Sequence, residues 1–129
     1  MPIQVFVNDQ DVIPIKVWAY KQKEAVFLVD TEEEVPKSVP KEDRQFIQMD
    51  FRRPSYADSM MILDGIDISN MIPGSRSMVI HDRILRSLLV DWNVKEGDKK
   101  AEINDTNLNK LNTDIIRGIL LRLSDIIGL

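Results

Sequence analysis

The sequence predicts an α+β fold: an N-terminal antiparallel β-meander of three or four strands followed by a C-terminal group of three or four helices. Up to residue 52 the apolar residues are mostly β-branched or aromatic and loosely alternate with polar ones, the period of a half-buried strand. From Pro54 onward they recur at three- and four-residue spacing, the period of a helix face. The one strong boundary signal is the loop at 31–43, so the β-rich region 1–52 and the helical region 53–129 are expected to form one compact unit.

The strands are read in order. Ile3-Gln4-Val5-Phe6-Val7 and Val12 to Tyr20 carry strand-forming residues on either side of the polar turn Asn8-Asp9-Gln10-Asp11, which predicts a hairpin. Pro14 has no N–H to give a ladder, so the second strand is expected at an edge or with a bulge there. Glu24 to Asp30 makes a third strand around Ala25-Val26-Phe27-Leu28-Val29. Residues 31–43 hold two prolines among dense charge and read as an exposed loop, after which Phe46 to Phe51 forms a fourth strand.

Pro54 suits a helix start; Tyr56, Ser59/Met60 and Leu63 follow at helical spacing until Asp64-Gly65 stops the run. Residues 67–74 connect to a helix capped by Ser75 or Ser77. Met78 to Trp92 has the clearest amphipathic pattern, with Ile80, Ile84 and Leu88 on one row and Leu85, Leu89 and Trp92 on the next; this pattern places Trp92, Ile84, Leu85, Leu88 and Leu89 at the centre of the core. Lys95 to Lys100 reads as a polar turn or small hairpin flanked by Val94 and Ile103. Asp105-Thr106 opens a short helix, and Thr113-Asp114 caps the last one, Ile115 to Ile127.

That last helix is apolar around most of its circumference, and Gly118 permits a close approach. It is either packed deep in the domain or seated in an interface. Ile116, Ile119, Leu120, Leu123 and Ile127 are the expected partner-binding residues, contributing part of their surface to another protein or to a second copy of the chain.

Composition narrows the function. At 129 residues, with 43% hydrophobic and 29% charged residues, the chain is expected to fold as an ordinary globular domain. Without cysteine there are no disulfides or thiolate nucleophiles and few routes to structural zinc, which favours a reducing compartment such as the cytoplasm. Met1-Pro2-Ile3-Gln4 lacks a basic region leading into an apolar run, and no stretch approaches the ~20 apolar residues of a membrane span. Neither export by a signal peptide nor membrane insertion is expected. A net charge of −4 opposes nonspecific attraction to nucleic acid.

The candidate chemical groups do not converge. His81 adjoins Asp82, but neighbours on a helix point about 100° apart and cannot act as base and orienter. Asp64, Asp67 and Ser69 lack the further ligands and terminal glutamate of a calcium loop. Pro73 to Ser77 lacks the length and lysine of a phosphate-binding loop and reads as a helix cap. The pairs Arg52-Arg53 and Lys99-Lys100, and the run Glu32-Glu33-Glu34, read as solvated charge. No catalytic residue, metal or cofactor is expected, and the protein is read as one that binds other proteins.

Three stretches carry a resemblance: Arg53-Pro54-Ser55-Tyr56-Ala57-Asp58; Arg83 to Asn93 followed by a glycine-containing turn; and Asn104 to Leu111 before the apolar helix. In order and character, residues 53–129 resemble tail-assembly chaperones of tailed bacteriophages. The resemblance implies a factor in the host cytoplasm that binds a virion protein, such as the tape measure or a baseplate hub component, until assembly. It brings no catalytic residue. The β-rich first 50 residues fall outside it, which keeps a permanent structural subunit of a phage tail or baseplate, present in the virion, as the alternative.

Overall fold

In this computed structural model, residues 3–8, 10–66 and 75–129 are described. The sheet begins with β1 (Val12–Gln22), in which Ile13, Ile15, Val17 and Ala19 turn inward and the residues between them turn outward. Lys23 and Glu24, at φ +52° and +65°, form a two-residue turn of the type I′ pattern into β2 (Ala25–Val29). β3 (Arg44–Arg52) pairs with the other side of β1, setting Ile47, Met49 and Phe51 beside Val17, Ile15 and Ile13.

The fourth strand comes from the helical half. Leu89–Trp92 is β4, which pairs with β3 and completes an antiparallel sheet in the order β2-β1-β3-β4. The expected helix from Met78 to Trp92 therefore ends at Leu88. Its periodicity continues to Trp92, but the free edge of β3 offers Leu89 to Trp92 backbone partners that a further helical turn would forgo. The expected first strand is also corrected: Ile3 to Val7 belongs to no strand and lies in solvent.

Register explains how Pro14 sits inside a sheet. A two-residue turn is closed by a hydrogen-bonded pair, here Gln22↔Ala25, so Tyr20, Trp18, Lys16 and Pro14 direct their backbone groups to the β2 side as well. β2 reaches back only to Trp18↔Val29. Pro14 thus meets an unpaired half-edge, where its missing N–H breaks no ladder.

Helices cover one face of the sheet. α1 (Tyr56–Leu63) starts with a reciprocal cap in which the Ser55 Oγ accepts from Asp58 N–H (3.2 Å) and the Asp58 carboxylate accepts from Ser55 N–H (2.9 Å). Asp58 also receives the Arg52 guanidinium at 2.5 and 3.2 Å, which holds its carboxyl at about 2 instead of 3.8 and ties β3 to α1. α2 (Ser75–Leu88) is fastened to α1 by Arg83, whose guanidinium donates to the carbonyls of Ile62 and Asp64. The caps expected at Ser75 or Ser77, and the connection 67–74, lie outside the described backbone or side chains.

After β4 a small hairpin of β5 (Lys95–Glu96) and β6 (Lys99–Lys100) returns the chain so that the buried Trp92 indole donates to Ala101 C=O at 2.8 Å. α3 (Asp105–Leu108) and α4 (Thr113–Ile127) follow. Strands and helices share one apolar core, with Phe51, Met49, Val17, Ile84, Leu88, Ile119 and Leu123 among its most enclosed side chains. Ile84, Leu85, Leu88 and Trp92 are buried as expected, while Leu89 is half-buried against them.

The 31–43 loop is less exposed than its charge implies. Val35 and Val39 are buried outside the main core, and Arg44, which stands on the helix-free side of the sheet, donates to Val39 C=O at 2.7 and 3.1 Å. Two valines inside a charged, proline-bounded loop are enough to fold it back. The same side carries two ring pairs, Trp18 with Phe46 and Tyr20 with Phe27, at centroid distances of 5.5 and 5.3 Å.

Candidate functional site

α4 is built for burial. Asn112, one residue before the expected cap, accepts from the N–H groups of Asp114 (2.9 Å) and Ile115 (3.1 Å); Gly128, at φ +77°, ends the helix with its N–H on Ser124 C=O. Gly118 lies against β2 so closely that a Cβ there would come within 2.4 Å of Leu28 Cδ1. The helix therefore settles low on the inner face of the sheet, with Arg122 paired to Asp30 at 2.7 Å.

This seating decides the five expected partner-binding residues. Ile119 and Leu123 are buried in the core and offer no surface, a correction whose reason is that the sheet below and α2 beside α4 enclose that stripe, and Leu120 is buried beside them with only an edge left open. Ile116 and Ile127 are half-buried at its margins. The exposed apolar residues of α4 are Leu121 and Ile126.

Ile116 and Leu120 nevertheless meet at a surface feature. A groove of about 240 Å³ runs between α2 and α4, lined by Met78, His81, Leu85, Ile116, Leu120 and Arg117. Its floor is apolar, and Asp82 and Arg117 supply opposite charges on its walls. Met78 projects into solvent beside it.

His81 is half-buried here rather than on the open surface, with Nε2 at 3.3 Å from Ser124 Oγ. Burial first, and the nearby Arg117 charge second, push its pKa below 6.5. The neutral imidazole is the folded form, so stability held above pH 6.5 drains as pH falls toward the depressed pKa. Asp82 does not orient it: that carboxylate accepts from Arg86 Nε at 2.9 Å, and Arg86 also reaches Asp105 and Asn109. The groove can receive an apolar side chain, and among the described residues the hydrogen-bond partner of its histidine is Ser124.

The remaining candidates resolve into local pairs. Arg53 joins Asp11 at 3.0 Å, Lys100 joins Asp91, and Arg44 lies 4.0 Å from Glu32. Asp64 gives its carbonyl to Arg83, while Asp67 and Ser69 lie outside the described residues. Among the described residues no three His, Asp or Glu side chains converge to hold a metal, and no helix is long and apolar enough to cross a membrane.

Sequence reasoning missed the N-terminal arm as a surface. Ile3, Val5 and Phe6 are 88, 82 and 86% exposed, the most solvent-open large apolar group among the described residues. The signal is in the sequence, four strand-forming residues among five, but composition does not say whether a partner strand lies within reach. Compared with known protein families, curated proteins and solved structures, the chain matches none.

Proposed function

We propose that this protein is a non-catalytic binding factor in bacteriophage tail or baseplate assembly, a chaperone or adaptor that holds a virion protein until it is incorporated. The observation that carries the reading is the groove between α2 and α4. It is an apolar-floored, charge-flanked channel on the surface, of the form that seats one face of an amphipathic segment from a partner. It falls within residues 53–129, the stretch that resembles tail-assembly chaperones.

The occupant is an apolar segment of a tape-measure or baseplate-hub protein. Such a segment aggregates when free, and the groove's Asp82 and Arg117 fix its register by charge while Ile116 and Leu120 contact its apolar face. A permanent tail or baseplate subunit is the second reading, favoured by the β-rich half that the resemblance does not cover.

The test is copurification of the full chain from cells expressing the genome that encodes it, with mass spectrometry of its partners and of finished particles. A virion protein retained by the wild type and lost from the double variant Met78→Asp, Arg117→Glu supports the proposal. Retention of the same partner by that variant removes the groove from the reading. The chain's presence in finished particles selects the structural subunit.

A further inference from the structure

We infer that a second copy of this chain lays its N-terminal arm, Ile3–Val7, as an added strand along the outer edge of β2. The inference rests on other residues than the groove and stands independently of it.

The acceptor is an open, undefended edge. With Gln22↔Ala25 as the bonded pair that closes the turn, Val26 and Leu28 point their N–H and C=O groups away from β1. Among the described residues those groups meet no backbone partner. Natural edges are commonly blunted by proline, lysine or inward charge, whereas Ala25-Val26-Phe27-Leu28-Val29 contains none of these. The other unpaired stretch, Val12 to Val17 on the same side of β1, does carry such defences in Pro14 and Lys16.

Among the described residues the donor has no strand partner either. Ile3 to Val7 matches β2 in length, has strand-forming composition and no charge, and is exposed along its whole length. In an extended arm Ile3, Val5 and Val7 share one face while Gln4 and Phe6 take the other. Laid beside β2 with the first set on the helix side, the arm prolongs the inner apolar face toward Ile126, which shares a flank of α4 with Arg122. Phe6 then stands next to Phe27 on the aromatic side.

Reach requires that the arm come from another copy. The arm is rooted at the start of β1, where Asp11 N–H bonds Asn8 C=O at 2.9 Å and Asp11 pairs with Arg53. The near end of β2 is Val29, opposite Trp18 and six residues further along β1 than Val12, or about 20 Å at the strand rise. Five extended residues span about 17 Å, so Ile3 to Val7 of the same chain fall short of Val29.

The experiment uses the full chain. Its mass in solution is measured over a concentration series, together with amide hydrogen exchange at Val26 and Leu28, for wild type and for the double variant Val5→Asp, Phe6→Asp. Self-association of the wild type, with both amides slowing as concentration rises, and a monomeric variant in which they exchange fast, is the expected result. A wild type that stays monomeric overturns the inference. So does association that leaves both amides fast, or that persists in the variant. The variant leaves the groove intact, so loss of self-association with the virion partner retained separates this inference from the proposed function.

Discussion

The two ends of the chain are both rich in apolar residues and opposite in fate. The arm Ile3–Val7 is a short apolar segment that the fold leaves in water, and α4 is a long one that the fold encloses. The sequence predicts a hairpin partner for the arm and leaves α4 open between the core and an interface. Apolar character states how much a segment gains from burial; the surfaces available to it decide whether burial happens. α4 meets the inner face of a sheet already studded with Val17, Ala19 and Leu28, and Gly118 lets it descend onto them. The arm emerges beside a half-edge that Pro14 has spoiled, and among the described residues it meets no second face.

The sharpest way to break this comparison is to place charge in each segment. Ile119→Asp with Leu123→Asp buries two carboxylates at fully enclosed positions, which costs several kcal/mol and should unfold the domain. Val5→Asp with Phe6→Asp should leave the monomer's unfolding midpoint within about 0.5 kcal/mol of wild type, as for exposed sites generally. Circular dichroism melts of both double variants check the pair. A folded α4 variant would return that helix to the surface.

Next in size is Leu88→Ala, expected to lose about 2–5 kcal/mol in chemical denaturation because Leu88 is fully enclosed at the end of α2. An unchanged midpoint would detach α2 from the core that α4 shares.

Smaller again is the joint between sheet and helices. Asp58 has its pKa lowered from 3.8 to about 2, chiefly by Arg52, so its contribution is present above pH 4 and lost as pH falls toward 2. Asp58→Asn should cost roughly 1–2 kcal/mol near neutral pH after allowance for solvent screening, and flatten the acid limb of the stability profile. An acid limb unaltered in the variant would move the origin of acid sensitivity elsewhere.

Smallest is Gly118→Ala. Removing a helical glycine gains about 1 kcal/mol, and Leu28 Cδ1 must swing aside to admit the methyl, so the two effects should nearly cancel. A large loss would mean that the seat of α4 on β2 is tighter than a single leucine rotamer can relieve.

Much of the fold was legible because it depends on local period. Alternation in Ile13, Ile15, Val17 and Ala19 marked β1, and the Ile84, Leu85 and Leu88 rows marked the buried side of α2. Of the candidate site, Ile116 and Leu120 were named, but the groove was not, because it needs Met78 and His81 brought across from another helix. The cap at Ser55 could have been read from its spacing to Asp58; its link to Arg52 could not.

By itself the sequence determined the α+β class and the inward faces of β1 and α2, since these follow from side-chain period within a few residues. Tertiary structure alone decided three things. Leu89 to Trp92 left a helical pattern for strand pairing because β3 presented an edge. Val35 and Val39 sank beneath a charged loop because Arg44 anchored it. Ile119 and Leu123 became core, and Ile3 to Phe6 surface, because burial requires an apposed face, and which faces meet depends on contacts between residues far apart in the chain.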